Sequence, residues 1–154
     1  GTPIVTNAGA HAKMTAAQQG HATILANGDS NDSFGPKIEA IPAYNLTEER
    51  MQFHPQGRDN GYVLSWDGFR IYVSGDTEDI PEMRALEDID VAFVCMNLPF
   101  TMDVAAAADA VAEFGPKNVY PYHYRGRDGG TQDPQAFADL IGDRAQVKLG
   151  KWYE

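Results

Sequence analysis

The chain has 154 residues, 43% of them hydrophobic, which is the size and apolar content of one globular domain with its own core. Its formal net charge of −10 and its lack of long Lys/Arg clusters argue against nucleic acid or an anionic membrane as a partner, because both require concentrated positive charge. No stretch approaches the roughly 18 to 20 apolar residues of a membrane-spanning helix, and the single Cys95 cannot form an internal disulfide. We therefore expect a soluble domain whose partner is small, uncharged or held by a cation.

The first sixty residues predict short strands around one helix. Residues 2–7 are rich in strand formers, and the alanine-rich stretch that follows predicts a helix ending at Gly20. Two further strands are predicted at 21–27 and 37–45, separated by a segment of turn composition. Residues 46–60 show no sustained hydrophobic period, so we expect a loop there.

The clearest local pattern is "GYVLSWDGFRIYVSGDT", residues 61–77. Two alternating apolar stretches flank Asp67-Gly68, which is a favoured two-residue hairpin turn. The second strand finishes on "SGDT", so that Asp76 stands where the chain has to leave the sheet. Asp76 could cap the following segment, as Asp often does, or it could be a ligand on a rigid strand end.

The remaining sequence alternates helix and strand patterns. Helices are predicted near 80–86, at 103–115 with Asp103 as N-cap and Gly115 as terminator, and at 133–143; strands are predicted at 89–97, 118–124 and 145–150. The apolar stretch "IDVAFVCMN" is typical of a strand buried on both faces. Hairpins followed by strand-helix-strand units predict an α/β (α+β) fold with a mixed sheet and helices packed on it.

Three side chains able to bind a metal lie in the loop or beside strand ends: His54, Asp76 and His123. Imidazole nitrogen and carboxylate oxygen suit zinc, manganese or iron, and one carboxylate can bridge two ions. None of the three local motifs is specific by itself. A His-Pro in a loop is more often a surface residue, a Gly-Asp-Thr is more often a turn, and a histidine in an aromatic strand is as often a core group.

The order of these elements resembles the C-terminal two-thirds of the metallo-β-lactamase superfamily, in particular its ascorbate-6-phosphate-lactonase-like branch of metal-dependent hydrolases. The resemblance implies an αββα sandwich that holds one or two divalent ions, usually zinc. It also implies that His54 is the third histidine of the first metal site, Asp76 the bridging aspartate and His123 the final histidine of the second site.

The family's His-x-His-x-Asp-His segment is missing from this sequence, so the resemblance implies a truncated sandwich. His11 and His21 lack its spacing and the acid between, and we interpret both as ordinary histidines. Catalytic zinc commonly has three protein ligands and an open position. The three remaining candidates could close around one ion, or a second copy of the chain could supply further ligands. Because the missing strands would leave apolar surface and a sheet edge exposed, we expect a homo-oligomer, as a symmetric dimer.

The resemblance implies hydrolysis of an ester-like bond in a small molecule, a lactone, phosphodiester or phosphotriester, by a metal-activated water. The family's general-base aspartate belongs to the missing segment, so the catalytic base is unassigned. Arg125 and Arg127 could hold an anionic substrate oxygen, and Tyr124 could donate to a developing oxyanion, although a solvated loop and simple packing explain these residues as well. The alternative hypothesis is a non-catalytic pseudoenzyme that serves as a self-associating or metal-binding scaffold.

Overall fold

The computed structural model describes residues 1–125 and 132–153. Nine strands and five α-helices are present in this part of the chain. Their bounds are β1 Ile4–Thr6, α1 Ala8–His11, α2 Ala16–Gln19, β2 Ala22–Ile24, β3 Ser30–Asn31, β4 Lys37–Ala43, β5 Asp59–Trp66, β6 Phe69–Val73, α3 Pro81–Arg84, β7 Val91–Cys95, α4 Val104–Phe114, β8 Asn118–Tyr122, α5 Pro134–Ile141 and β9 Gln146–Val147. Short 3₁₀ turns occur at Glu48–Arg50 and Gly142–Arg144.

Seven of these strands form one mixed sheet in chain order, from β3 to β9. Strands β3 to β6 are antiparallel neighbours, and β6 to β9 are parallel, joined through helices α3, α4 and α5. The α/β fold with a mixed sheet is therefore confirmed. The second sheet contains only β1 and β2, paired in parallel, among the described residues.

The core lies between one face of the large sheet and the helices. Strand residues such as Tyr72 and Val94 are fully buried there against Phe137 of α5 and Val111 of α4. Burying one side chain of this size contributes about 1.5–3 kcal/mol, so this layer accounts for much of the stability. The layer fixes the sheet whose strand ends carry the candidate site.

The hairpin and the later helices form as predicted. Asp67 and Gly68 both have positive φ (50° and 79°), the conformation that a two-residue hairpin turn needs. Asp103 caps α4 by accepting from the Ala106 amide at 2.8 Å, and Gly115 ends that helix in the left-handed region.

Three details differ from the sequence predictions. The two-residue strand β3, Ser30–Asn31, lies in the segment that was predicted as a turn. The helix predicted before Gly20 is split into α1 and α2, because Thr15 and Gln18 form a capping box that starts a new helix. Strand β7 is less buried on one face than predicted: Ala92 and Val94 are inaccessible, whereas Val91 and Phe93 on the opposite face are half-buried, and only at the end of the strand is Cys95 inaccessible as well. That face carries alternate apolar residues of four adjacent strands, and we call it the open face. Its members are Tyr62, Leu64, Ile71, Val73, Val91, Phe93 and Tyr120.

Candidate metal centre

The candidate site lies where the parallel strands end. Strands β6, β7 and β8 are adjacent and parallel, so the residues that follow them meet at one edge of the sheet. Asp76 follows β6, Asn97 follows β7 and His123 follows β8. His54 arrives from the other side, on the loop between β4 and β5, whose ends also lie at this edge because Ala43 pairs with Asp59.

Asp76 contacts both predicted histidines through one oxygen. Its Oδ2 lies 3.6 Å from His54 Nε2 and 3.6 Å from His123 Nε2. Two ligand atoms on one tetrahedral zinc ion are about 3.4 Å apart, so each pair has the separation that a shared ion requires. The side chains remain accessible to a ligand: 16% of His54, 35% of Asp76 and 40% of His123 is exposed.

The donor chemistry fits a divalent ion, but the number of donors is small. Within residues 1–125 and 132–153, no group of three or more His, Cys, Asp or Glu side chains is arranged so that it could hold a metal ion as it stands. The contacts are pairwise, from each imidazole to the carboxylate. The two imidazoles and the carboxylate are ligands that zinc, manganese and iron accept, and such an ion would still need water, substrate or further protein atoms to complete its coordination.

Backbone geometry aims Asp76 into the site. Gly75, directly before it, has φ +65°, and a Cβ at this position would lie 2.6 Å from the carbonyl oxygen of Asn60. Only glycine allows that close approach of β5 to the end of β6. Tyr122 Oη donates to the carbonyl of Gly75 at 3.0 Å, which ties the end of β8 to the same turn. The turn after β6 therefore directs the Asp76 side chain away from the sheet edge and into the site, beside His123.

Asp59 orients His54 and was not identified from the sequence. Its Oδ2 lies 3.0 Å from His54 Nδ1, so the other ring nitrogen, Nε2, is the one that faces Asp76. Partial burial raises the pKa of Asp59, but hydrogen bonds from Arg58 and His54 outweigh that effect and hold it below its usual range. A carboxylate behind a ligating histidine is a common partner in metal sites. The signal in the sequence was an acid at the start of the strand after the histidine loop.

Asn97 is a second residue that the sequence analysis missed. It is 3% exposed, its Nδ2 lies 3.1 Å from His123 Nε2, and its Oδ1 is buried without a partner among the described residues. The strand-end rule that selected Asp76 and His123 applies equally to Asn97, which closes the strand "VAFVCMN".

A cavity of about 360 Å³ opens onto these groups. Its walls combine the polar cluster with two aromatic rings, Phe53 and Phe100, which pack edge-to-face at 5.0 Å. Arg125 lines the same cavity and places its guanidinium 4.5 Å from the ring centre of Tyr153. A larger, apolar cavity of about 600 Å³ adjoins Asp76 and His123 on the side of the open face and is bordered by Trp152.

The other predicted substrate residues have different settings. Tyr124 packs edge-on against Tyr153 at 5.1 Å and against the core, which is the packing role considered above. Arg127 lies outside the described residues. His11 ends α1, and His21 contributes its backbone carbonyl to β1. No helix in the described part of the chain is long and apolar enough to cross a membrane.

The fold first identifies the structural class of the protein. The architecture is that of metallo-β-lactamase fold proteins: it superimposes on the metallo-β-lactamase fold protein YhfI of Bacillus subtilis with a TM-score of 0.70 at 11% identity, over 97% of this chain and 62% of that one. A metallo hydrolase of Ignicoccus hospitalis, Igni18, gives 0.76 at 21% identity over 97% and 65%. At these identities the likeness establishes the fold alone.

The family follows from the sequence match. Residues 4–123 match the Beta-lactamase superfamily domain, and the chain belongs to that superfamily. A Parabacteroides distasonis protein classed as a metal-dependent hydrolase is 45% identical, with a TM-score of 0.84 over 96% of this chain and 64% of its own. A UPF0173 metal-dependent hydrolase of Thermococcus onnurineus is 34% identical over 136 residues, which are 86% of this chain and 60% of the relative. The chain thus spans about 60% of the length of these relatives.

Proposed function

We propose that this chain carries part or all of the active site of a metal-dependent hydrolase that cleaves an ester-like bond in a small molecule. The observation that carries the proposal is the position of Asp76 Oδ2, 3.6 Å from the Nε2 atoms of both His54 and His123. Relatives named metal-dependent hydrolases support the coarse activity. The bond type, the lactonase-like branch and the identity of the metal are parts of the proposal.

His54, Asp76 and His123 would hold the ion. A bound divalent ion lowers the pKa of water toward neutrality and polarises the bond under attack. The side chains of this chain set the geometry of the site. Asp59 fixes the ring orientation of His54 through Nδ1, and Asp76 holds its carboxylate between the two imidazoles.

Arg125 and Asn97 would bind the substrate. Arg125 borders the cavity of about 360 Å³, where its cation can hold an anionic oxygen of a phosphate ester or of an opened lactone. The Asn97 amide, within the same cavity wall, can donate to a second substrate oxygen. Phe53 and Phe100 provide an apolar wall beside them, which keeps water away from part of the substrate.

The experiment combines metal analysis with catalysis. Purified protein is assayed for bound zinc, manganese and iron, and for hydrolysis of a nitrophenyl phosphodiester and of a γ-lactone, before and after chelation. We expect a bound divalent metal and chelator-sensitive hydrolysis of at least one ester. Asp76→Ala should lose the metal and at least about 100-fold in rate, because it removes the oxygen shared by both imidazoles. The control Asp32→Ala changes an exposed carboxylate on the β3–β4 turn and should match the wild type.

Metal-free protein without chelator-sensitive turnover would overturn the proposal. Unchanged metal content in Asp76→Ala would show that another carboxylate is the ligand. The alternative function is a metal-binding scaffold without catalysis, which the small donor set favours. Metal binding that depends on Asp76 but no turnover on either ester would support that alternative.

A further inference from the structure

Glu78 is the most heavily hydrogen-bonded buried carboxylate beside the site, and the function proposed above gives it no role. It lies two residues beyond Asp76 and is 3% exposed. Its Oε2 accepts from the amides of Leu46 and Thr47, at 2.6 Å each, and its Oε1 accepts from Thr47 Oγ1 at 2.7 Å and Arg50 Nη1 at 2.6 Å. All of these donors belong to residues 44–58, which we call the His54 loop.

These contacts give the carboxylate four hydrogen-bond donors, one of which is the Arg50 guanidinium. Hydrogen bonds to a charged acceptor are about twice as strong as neutral ones. Glu78 therefore fastens one end of the His54 loop to the strand end that carries Asp76.

The same loop is closed on itself next to His54. The Asn45 amide donates to the His54 carbonyl at 2.8 Å, and Asn45 Nδ2 donates to the carbonyls of Arg50 and Phe100 at 2.9 and 2.7 Å. Arg50 Nη1 also donates to the carbonyl of Thr101 at 3.2 Å. A displacement of Arg50 would therefore be passed through Asn45 to the backbone of His54.

The backbone around Asp76 is also joined to the His54 loop by hydrogen bonds that do not involve the Glu78 side chain. The Glu78 amide donates to the Tyr44 carbonyl at 2.9 Å, and the Tyr44 amide donates to Thr77 Oγ1 at 3.1 Å. Thr77 is fully buried. The segment Asp76–Glu78 and the start of the His54 loop are thus joined by backbone hydrogen bonds as well, while Leu46, Thr47 and Arg50 are held by the Glu78 side chain.

We propose that Glu78 and Arg50 form a clamp that positions His54 against Asp76 for metal binding. This inference rests on the proposed metal site. Glu78 is a positioning residue: it touches neither the cavity nor the candidate ligands, and it acts through Arg50 and Asn45. Without the Glu78 charge, Arg50 loses its counter-ion and the part of the loop from Leu46 to Arg50 loses its side-chain anchor, so that His54 Nε2 is held less firmly at its distance of 3.6 Å from Asp76 Oδ2.

The chain offers a matched control in Asp90. This carboxylate is also nearly buried (8% exposed) and also binds a backbone amide and a cation: Arg70 N at 2.8 Å and Lys117 Nζ at 2.6 Å. Asp90 lies directly before β7 and beside the start of β8, which is the end of the parallel strands opposite the candidate site. Asp90→Asn removes a similar charge from the same sheet without touching the His54 loop.

The test is a cobalt(II) titration followed by visible absorption, with thermal unfolding of each variant as a stability reference. We expect Glu78→Gln to weaken cobalt binding by about 10-fold to 100-fold and to alter the visible spectrum, since outer-shell changes commonly have this effect. Arg50→Met should behave in the same way and Arg50→Lys should keep part of the affinity. Asp90→Asn should bind cobalt as the wild type does, even if its melting temperature falls as far as that of Glu78→Gln.

Hydrogen exchange of the metal-free chain supplies a readout that does not depend on the ion. Glu78→Gln should increase exchange at the amides of Asn45, Leu46 and Thr47 at least about tenfold, with exchange at Val63 in β5 unchanged, because local opening needs no global unfolding. Wild-type cobalt affinity in Glu78→Gln, or exchange that rises equally in Asp90→Asn, would overturn the clamp. A wild-type chain that binds no cobalt would instead overturn the proposed metal site, and with it the role assigned to the clamp.

Discussion

Asp59 and Asp76 contact the two ring nitrogens of His54. Asp59 lies at Nδ1 and Asp76 at Nε2, so the imidazole is fixed in one plane before any ligand arrives. His123 is held differently: it has φ +51°, a left-handed conformation that is uncommon for a residue other than glycine. Such conformations occur in turns, as at Asp67, and they recur at active sites, where the surrounding structure imposes them.

Removing the Asp59 charge should weaken metal binding without removing a ligand. We expect Asp59→Asn to raise the dissociation constant for zinc by about 10-fold to 100-fold, because the carboxylate that orients the ring and increases its basicity is lost. Competition against a chromophoric chelator measures this constant. Asp32→Asn, on an exposed turn, should leave it unchanged. Equal zinc affinity in Asp59→Asn and wild type would contradict an orienting role.

At the level of elements, local patterns predicted the longer strands and the longer helices, but not the two-residue strand β3. The hairpin β5–β6 has its own turn chemistry, and α4 has its own cap at each end, so neither depends on distant residues. The alanine-rich stretch before Gly20 was predicted as one helix and is two. Helix propensity there was overridden by the local capping box at Thr15, which offers the backbone an alternative set of hydrogen bonds.

The parallel strands are joined at the end remote from the site by Asp90. Its carboxylate accepts from Lys117 and from the Arg70 amide, which together hold its pKa below the usual value. Because the folded-state pKa is lowered, this stabilisation is present above the unfolded pKa of about 4 and is lost as the pH falls through the folded value.

We therefore expect Asp90→Asn to be less stable than the wild type at pH 7, with the difference shrinking as the pH falls below about 4. Urea unfolding at a series of pH values from 7 to 3 measures the free energy of unfolding of both proteins. A difference that stays constant over this series would show that Asp90 stabilises the sheet through something other than its charge.

For the molecule as a whole, the large sheet has two unlike faces. Helices α3 to α5 cover one of them, while the open face is apolar and only half-buried. Trp152 covers part of it by packing against Phe93 and Tyr120. Apolar surface of this kind favours association, whereas the net charge of −10 opposes contact between two copies.

We expect the chain to self-associate through the open face, and more strongly at higher salt because the charge repulsion is then screened. Sedimentation velocity at low and high ionic strength measures the association state. Leu64→Glu, which places a charge on the open face, should remain monomeric under both conditions and keep its circular dichroism spectrum. A wild-type chain that stays monomeric at every protein concentration and ionic strength would contradict the predicted dimer.

The amino-acid sequence by itself determined most of the elements and the ends of the longer strands, because alternation, turn residues and caps act over a few neighbouring positions. It therefore identified Asp76 and His123 as strand-end groups and His54 as a loop group. Only the tertiary structure decided that both imidazoles contact Asp76, that Asp59 and Asn97 contact those imidazoles, and that Glu78 anchors the His54 loop. Apart from the contact between Asp59 and His54, which are five residues apart, those contacts join residues far apart along the chain. They depend on strand order and on the path of a loop, neither of which leaves a local pattern in the sequence.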